Sequence, residues 1–140
     1  MKLHRLVSLA ALTALHACAG TPGPGDSGYA YNVNGEYIGS VSVEGEAFNG
    51  SLELTTAPGG VVSGTYRITQ PVQLGGGVEG TLLNDQLSIR MRYGNNPLTG
   101  CSGGTMTGTL AVAEGGASLS GPVTIDDCGL VLDGSVSFRR

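Results

Sequence analysis

The chain contains no tryptophan, one lysine and two histidines, and Lys2, His4 and His16 all lie within its first 16 positions. Beyond them there is no side chain that titrates as a general base at neutral pH. Ser-His-Asp and Cys-His arrangements therefore cannot be built. The bases that remain are Arg67, Arg90, Arg92, Arg139 and Arg140. They stand against eleven acids, a net charge of −6 for residues 18–140. Nucleic acids and anionic lipid head groups both select basic surfaces, so neither is an expected partner. Long apolar runs are also missing. The longest, residues 6–15, would span only about 15 Å as a helix, about half of a bilayer core. No later stretch sustains a helical period, which argues against a helical domain.

What the N-terminus does contain is a basic start (Lys2, Arg5), the short apolar run, and then Leu15-His16-Ala17-Cys18. A basic n-region followed by a short h-region is the pattern of an export signal. Leu15-His16-Ala17-Cys18 resembles the lipobox of bacterial lipoproteins. That resemblance implies cleavage of residues 1–17 and acylation of Cys18. Several acyl chains hold a protein to the lipid bilayer firmly, where one holds it only marginally. Ala19, in place of the Asp typical of inner-membrane retention in that family, points to the outer membrane where one exists. The next residues, Gly20-Thr21-Pro22-Gly23-Pro24-Gly25-Asp26-Ser27-Gly28, are too rich in Gly and Pro to build a core. Residues 18–28 thus read as a disordered tether, and residues 29–140 as one domain.

Within that domain, apolar and polar residues alternate strictly. Val41 and Val43 share a parity, as do Leu52 and Leu54, Tyr66 and Ile68, Ile89 and Met91, Leu110 and Val112, Val123 and Ile125, and Val136 and Phe138; with the shorter segment at Leu82 they make eight strands. Turn residues separate them at Glu44-Gly45, Ala57-Pro58-Gly59-Gly60, Gly75-Gly76-Gly77, Asn84-Asp85, Glu114-Gly115-Gly116 and Asp126-Asp127-Cys128-Gly129. Short gaps imply antiparallel hairpins. Eight such strands predict an all-β, eight-stranded antiparallel up-and-down meander barrel, with a two-sheet β-sandwich as the alternative. The apolar parity faces inward, because the other carries Ser, Thr, Glu and Arg. A membrane-spanning barrel shows the reverse, so the expected domain is a soluble barrel hanging from its lipid. Pro122 stands on the outward parity, where it predicts a bulge or a break in pairing.

Cys101 and Cys128 read as a disulfide, because an even pair in an exported domain pairs and the meander puts their loops at one end. Asp126 and Asp127, with Asp133 nearby, match no cation-binding loop and read as a polar turn. No catalytic residue, metal or cofactor is expected, and the protein is not read as an enzyme.

The segment Gly35-Glu36-Tyr37-Ile38-Gly39 and the ending Val136-Ser137-Phe138-Arg139-Arg140 resemble the first strand and the late arginine of calycins, the lipocalin and avidin group. The resemblance implies that Arg139 or Arg140 covers the Tyr37 ring and closes one end of the barrel, a cation–π contact worth about 0.5–2 kcal/mol. It also implies a carrier. On that reading Leu52, Tyr66, Met91, Tyr93 and Leu110 would meet a small apolar ligand. The alternative is a filled barrel that contacts another envelope protein, as an inhibitor or assembly partner. Inward glycines on seven strands serve either reading, since they help a small barrel bend and close or leave room inside it. Interior volume decides: ligand cavities start near about 300 Å³.

Overall fold

The computed structural model describes residues 20–140. The signal, the lipobox and Cys18 lie outside the described residues. Eight strands run β1 (Gly35–Val43), β2 (Glu46–Thr56), β3 (Val61–Gln70), β4 (Leu74–Leu83), β5 (Gln86–Tyr93), β6 (Gly104–Val112), β7 (Ser118–Asp127) and β8 (Leu130–Arg139), with one 3-10 turn at Glu114–Gly116. Each pairs antiparallel with its neighbour in sequence, and β8 pairs back onto β1, closing the barrel. That closure decides against the sandwich.

The alternation that defines the strands also fills the interior. Val41, Leu52, Leu54, Ile68, Leu82, Leu87, Ile89, Leu110, Val123 and Phe138 are all buried. Outward positions such as Ser51, Glu53, Thr65, Arg67, Ser88 and Arg90 are exposed or half-buried. Where inward glycines occur, the neighbouring strand comes unusually close. A Cβ on Gly64 would fall onto the Glu53 carbonyl, and one on Gly39 onto the Ser137 carbonyl. At these positions glycine admits neighbouring backbone rather than empty space, which is how a narrow barrel coils.

Two local expectations change. Gly75, Gly76 and Gly77 are not a turn but part of β4; the β3–β4 turn lies between Gln70 and Leu74. Likewise Asp126 and Asp127 end β7, leaving Cys128-Gly129 as the hairpin turn. At Pro122 the β6–β7 ladder is interrupted. Pairing passes from Gly108↔Val123 to Ala111↔Ser120 in unchanged register, so it is a break and not a bulge. The irregular register lies instead at Asn49/Gly50, between β2 and β3.

The meander sorts its connections into two ends. The β2–β3, β4–β5 and β6–β7 loops and both ends of the described chain share one; the β1–β2, β3–β4, β5–β6 and β7–β8 loops share the other. The segment read as a tether is held to the first end from Gly23 on. Gly59 N–H donates to Pro24 O (3.0 Å) and Gly115 N–H to Ala30 O (2.7 Å). The Tyr29 hydroxyl donates to Asn84 O (2.9 Å). Val33 is fully buried, and its backbone exchanges hydrogen bonds with Thr56 Oγ1. The segment therefore reaches all three loops of that end and works as a strap across it.

Candidate functional site: a cavity at the open end

The strapped end is closed from inside by Tyr37. Its ring is fully buried, and its hydroxyl donates to Gly116 O at 2.7 Å. Arg140 Nη2 donates to the same hydroxyl at 3.0 Å, and the guanidinium carbon stands 5.3 Å from the ring centroid. Of the two arginines considered, Arg140 makes this contact; Arg139 ends β8 on the exposed parity. The Gly116 backbone that accepts from Tyr37 sits at φ 65°, and a Cβ there would strike Asn32 O and the Arg140 guanidinium. Only glycine fits that position.

The opposite end is hollow. A cavity of about 280 Å³ opens there, walled by Val41, Phe48, Ile68, Leu74, Met106 and Ile125 among others. The barrel is thus packed in its strapped half and open in the other, and neither whole-barrel expectation describes it. The volume sits at the lower edge of the ligand-cavity range of about 300–1,000 Å³.

One wall of the cavity is the β5–β6 loop, which contributes Asn96, Leu98 and Thr99. Local bonds shape this loop: Asn96 N–H donates to Cys101 O (2.7 Å) and Gly100 N–H to Asn96 O (2.8 Å). The Cys101–Cys128 disulfide, with Cα atoms 5.7 Å apart, ties it to the β7–β8 hairpin. Beside that bond lies Asp127, a buried carboxylate at only 5% exposure. The Tyr93 hydroxyl donates to Asp127 Oδ1 at 2.7 Å, and Asn96 Nδ2 donates to the same oxygen at 3.1 Å. Burial pushes the Asp127 carboxyl up, but hydrogen bonds from Thr99, Tyr93 and Asn96 outweigh it and hold the group below the ordinary carboxylate value. Burial first, and then the Asp127 hydrogen bond and charge, push the Tyr93 phenol well above its ordinary value. The two shifts agree: a phenol that donates to a carboxylate stays protonated and keeps the carboxylate ionised.

Of the five residues expected to meet a ligand, Tyr93 lines the cavity. Leu52, Met91 and Leu110 are at most 1% exposed and pack in the core. Tyr66 is buried outside the cavity lining, and its hydroxyl has no hydrogen-bond partner among the described residues. Burial pushes its phenol up as well. Asp126 and Asp127 point to opposite sides of β7, Asp126 accepting from Gly129 N–H in the turn. Among the described residues, no three His, Cys, Asp or Glu side chains stand together as a metal site. Arg92 on the outer face pairs with Glu79 at 2.8 Å, both well exposed, a contact worth little.

No family model, curated protein or solved structure matches this chain.

Proposed function

We propose that the protein is a lipid-anchored protein of the cell envelope, a calycin-like carrier that holds a small apolar molecule in the cavity at its open end. The observation that supports this reading is the cavity itself. It has mostly apolar walls and a few fixed polar groups (Tyr93, Asn96, Asp127), and it lies in a barrel otherwise packed. That combination is the usual composition of a ligand site. Binding rather than catalysis suits a chain whose residues 18–140 have no histidine or lysine.

Anchoring gives the cavity a direction. Cys18 lies five residues before Gly23, where the strap begins, a reach of at most about 18 Å. An acylated Cys18 would therefore hold the strapped end near the bilayer. The cavity would open about 25 Å farther out, the axial length of strands of this size at a barrel's tilt. Ligand would then enter from the aqueous side.

Because the chain has no tryptophan, a Leu98→Trp variant carries a single indole reporter on the cavity wall. Saturable fluorescence change on titration with phenylbutanol is expected, as is co-purified apolar ligand in a native mass spectrum. A flat titration together with a clean apo mass refutes the carrier. For the anchor, Cys18→Ala is expected to move the protein from the membrane pellet to the soluble fraction, and retention in the pellet refutes lipidation.

A second reading, a docking face for another envelope protein, draws on Leu98, Leu130 and Val131. They are 59%, 54% and 62% exposed and stand at the same end of the barrel. Charged substitution of Leu130 and Val131, which lie outside the cavity lining, distinguishes the readings. It should abolish capture of a protein partner and leave phenylbutanol affinity within about twofold.

A further inference from the structure

The charge of the cavity narrows what it can hold. Its wall carries three acidic residues, Glu44, Glu46 and Asp127, and no base. Glu44, in the β1–β2 turn, and Glu46, the first residue of β2, are exposed at the rim. Asp127 lies deeper, and every donor that meets it is a neutral side chain. The four loops of this end contain no Arg or Lys. Arg67, toward the mouth end of β3, is on the exposed outward parity, and Arg92 on β5 is engaged by Glu79 on the outer face. Among the described residues no cation lines the cavity, so a carboxylate buried beside its apolar walls sets up a negative potential. Low-dielectric walls keep that potential from being screened as it would be in water.

We propose that the cavity selects a hydrophobic cation: an apolar body of small size carrying one amine or similar positive group. This deepens the carrier reading and rests on it. The apolar body would lie against Val41, Phe48, Ile68 and Leu74, and the positive group would meet Glu44 and Glu46 at the rim. Asp127, whose Oδ1 is already engaged by Tyr93 and Asn96, acts as a fixed charge beneath them and is not itself displaced. Apolar anions such as fatty acids, which ask for a base near their carboxylate, are disfavoured. The volume bounds the size. At about 30 Å³ per water in the liquid, 280 Å³ holds the equivalent of about nine waters, so a single ring with a short chain fills it.

The test is a matched series that differs only in the head group: phenylbutylamine, phenylbutanol and phenylbutyrate. Each is titrated calorimetrically at pH 7 into the full-length protein in non-ionic detergent, with empty micelles as the blank. The expected order is amine, alcohol, carboxylate. The amine should bind at least tenfold tighter than the alcohol, and that ratio should shrink severalfold at 1 M salt, where the screening length falls to about 3 Å. In a Glu44→Gln, Glu46→Gln double variant the amine-to-alcohol ratio should also fall severalfold. These side chains are exposed, so the variant is expected to fold, and an unchanged thermal midpoint checks this. Equal binding of amine and alcohol, or tightest binding of the carboxylate, overturns the cation proposal and leaves the carrier reading standing. An amine preference that survives the double substitution at full size overturns it too. If none of the three binds, both readings fall.

Discussion

Tyr37 and Tyr66 are both buried, at 0% and 5% exposure, yet removal of their hydroxyls should change stability in opposite directions. Tyr37 Oη makes two hydrogen bonds, to Gly116 O at 2.7 Å and from Arg140 at 3.0 Å. In Tyr37→Phe the Gly116 carbonyl is left buried without its donor, while the exposed Arg140 can turn to water. A neutral hydrogen bond contributes about 0.5–1.5 kcal/mol net, and an orphaned buried partner adds to the cost. The Arg140 bond counts for less than a buried charged one because water can replace it. The expected loss is therefore about 1.5–3 kcal/mol. Tyr66 Oη has no partner among the described residues. Tyr66→Phe removes a desolvated hydroxyl and keeps the ring, so stability should stay level or rise by about 1 kcal/mol. Urea denaturation of both variants beside the parent, read by far-UV circular dichroism at constant m-value, measures the pair. If Tyr66→Phe costs more than about 1 kcal/mol, the hydroxyl has a partner unaccounted for. If Tyr37→Phe costs nothing, the Tyr37–Gly116–Arg140 cluster does not close the barrel energetically.

Other expectations concern packing, the staple and pH. Gly64→Ala places a methyl on the Glu53 carbonyl and should cost about 1–3 kcal/mol in denaturant; a neutral result would mean the glycine is not there for strand approach. Replacing both Cys101 and Cys128 by Ser opens a 27-residue separation worth about 3.5 kcal/mol in the chain-entropy model. Because the bond holds the Asn96–Leu98–Thr99 wall, the same variant should weaken phenylbutanol binding, and unchanged affinity would separate the staple from the cavity. The Asp127 carboxyl is held below its ordinary value of 3.8. Its stabilising contribution is thus present above that value and lost as pH falls through the lower folded value. In Asp127→Asn the stability profile should flatten over that acid window, and an acid limb as steep as the parent's refutes the assignment. At the alkaline end the Tyr66 and Tyr93 phenols are pushed up, so they should ionise above the ordinary tyrosine value. In spectrophotometric titration these two should appear together with unfolding, and their ionisation in the folded state would refute the burial argument.

The strands and their faces were legible in the sequence because a period of two is a direct consequence of the pleat. The glycines of β4 misled for a physical reason. Gly75-Gly76-Gly77 lacks side chains to show parity, so a strand that pairs with Arg67, Tyr66 and Thr65 looks like a turn. The candidate site was less legible. Parity says that Leu52, Met91 and Leu110 face inward but not at what height. Height depends on how the ladders stagger around the barrel, and that stagger puts these three in the packed core. Asp127 did leave a signal. Val123, Ile125 and Asp127 share one parity, and extending the alternation by one step puts that carboxylate inside. The loop wall left none, because its position comes from the Cys101–Cys128 bond and the Asn96 contacts and not from any period.

The two ends of this barrel solve different problems with similar chemistry. At the strapped end a tyrosine hydroxyl finds a backbone carbonyl and an arginine, so the polar group is satisfied and the cation is consumed there. At the open end a tyrosine hydroxyl meets a carboxylate, and the charge left over is negative. With five arginines against eleven acids in residues 18–140, the fold has few cations to place. Arg139 and Arg140 stand at the strapped end, Arg92 is paired outside, and none lines the cavity. The asymmetry of charge thus follows the asymmetry of packing: the end that is closed holds its own cation, and the cavity at the open end is lined by none. A cationic ligand at the open end would supply there what Arg140 supplies at the other.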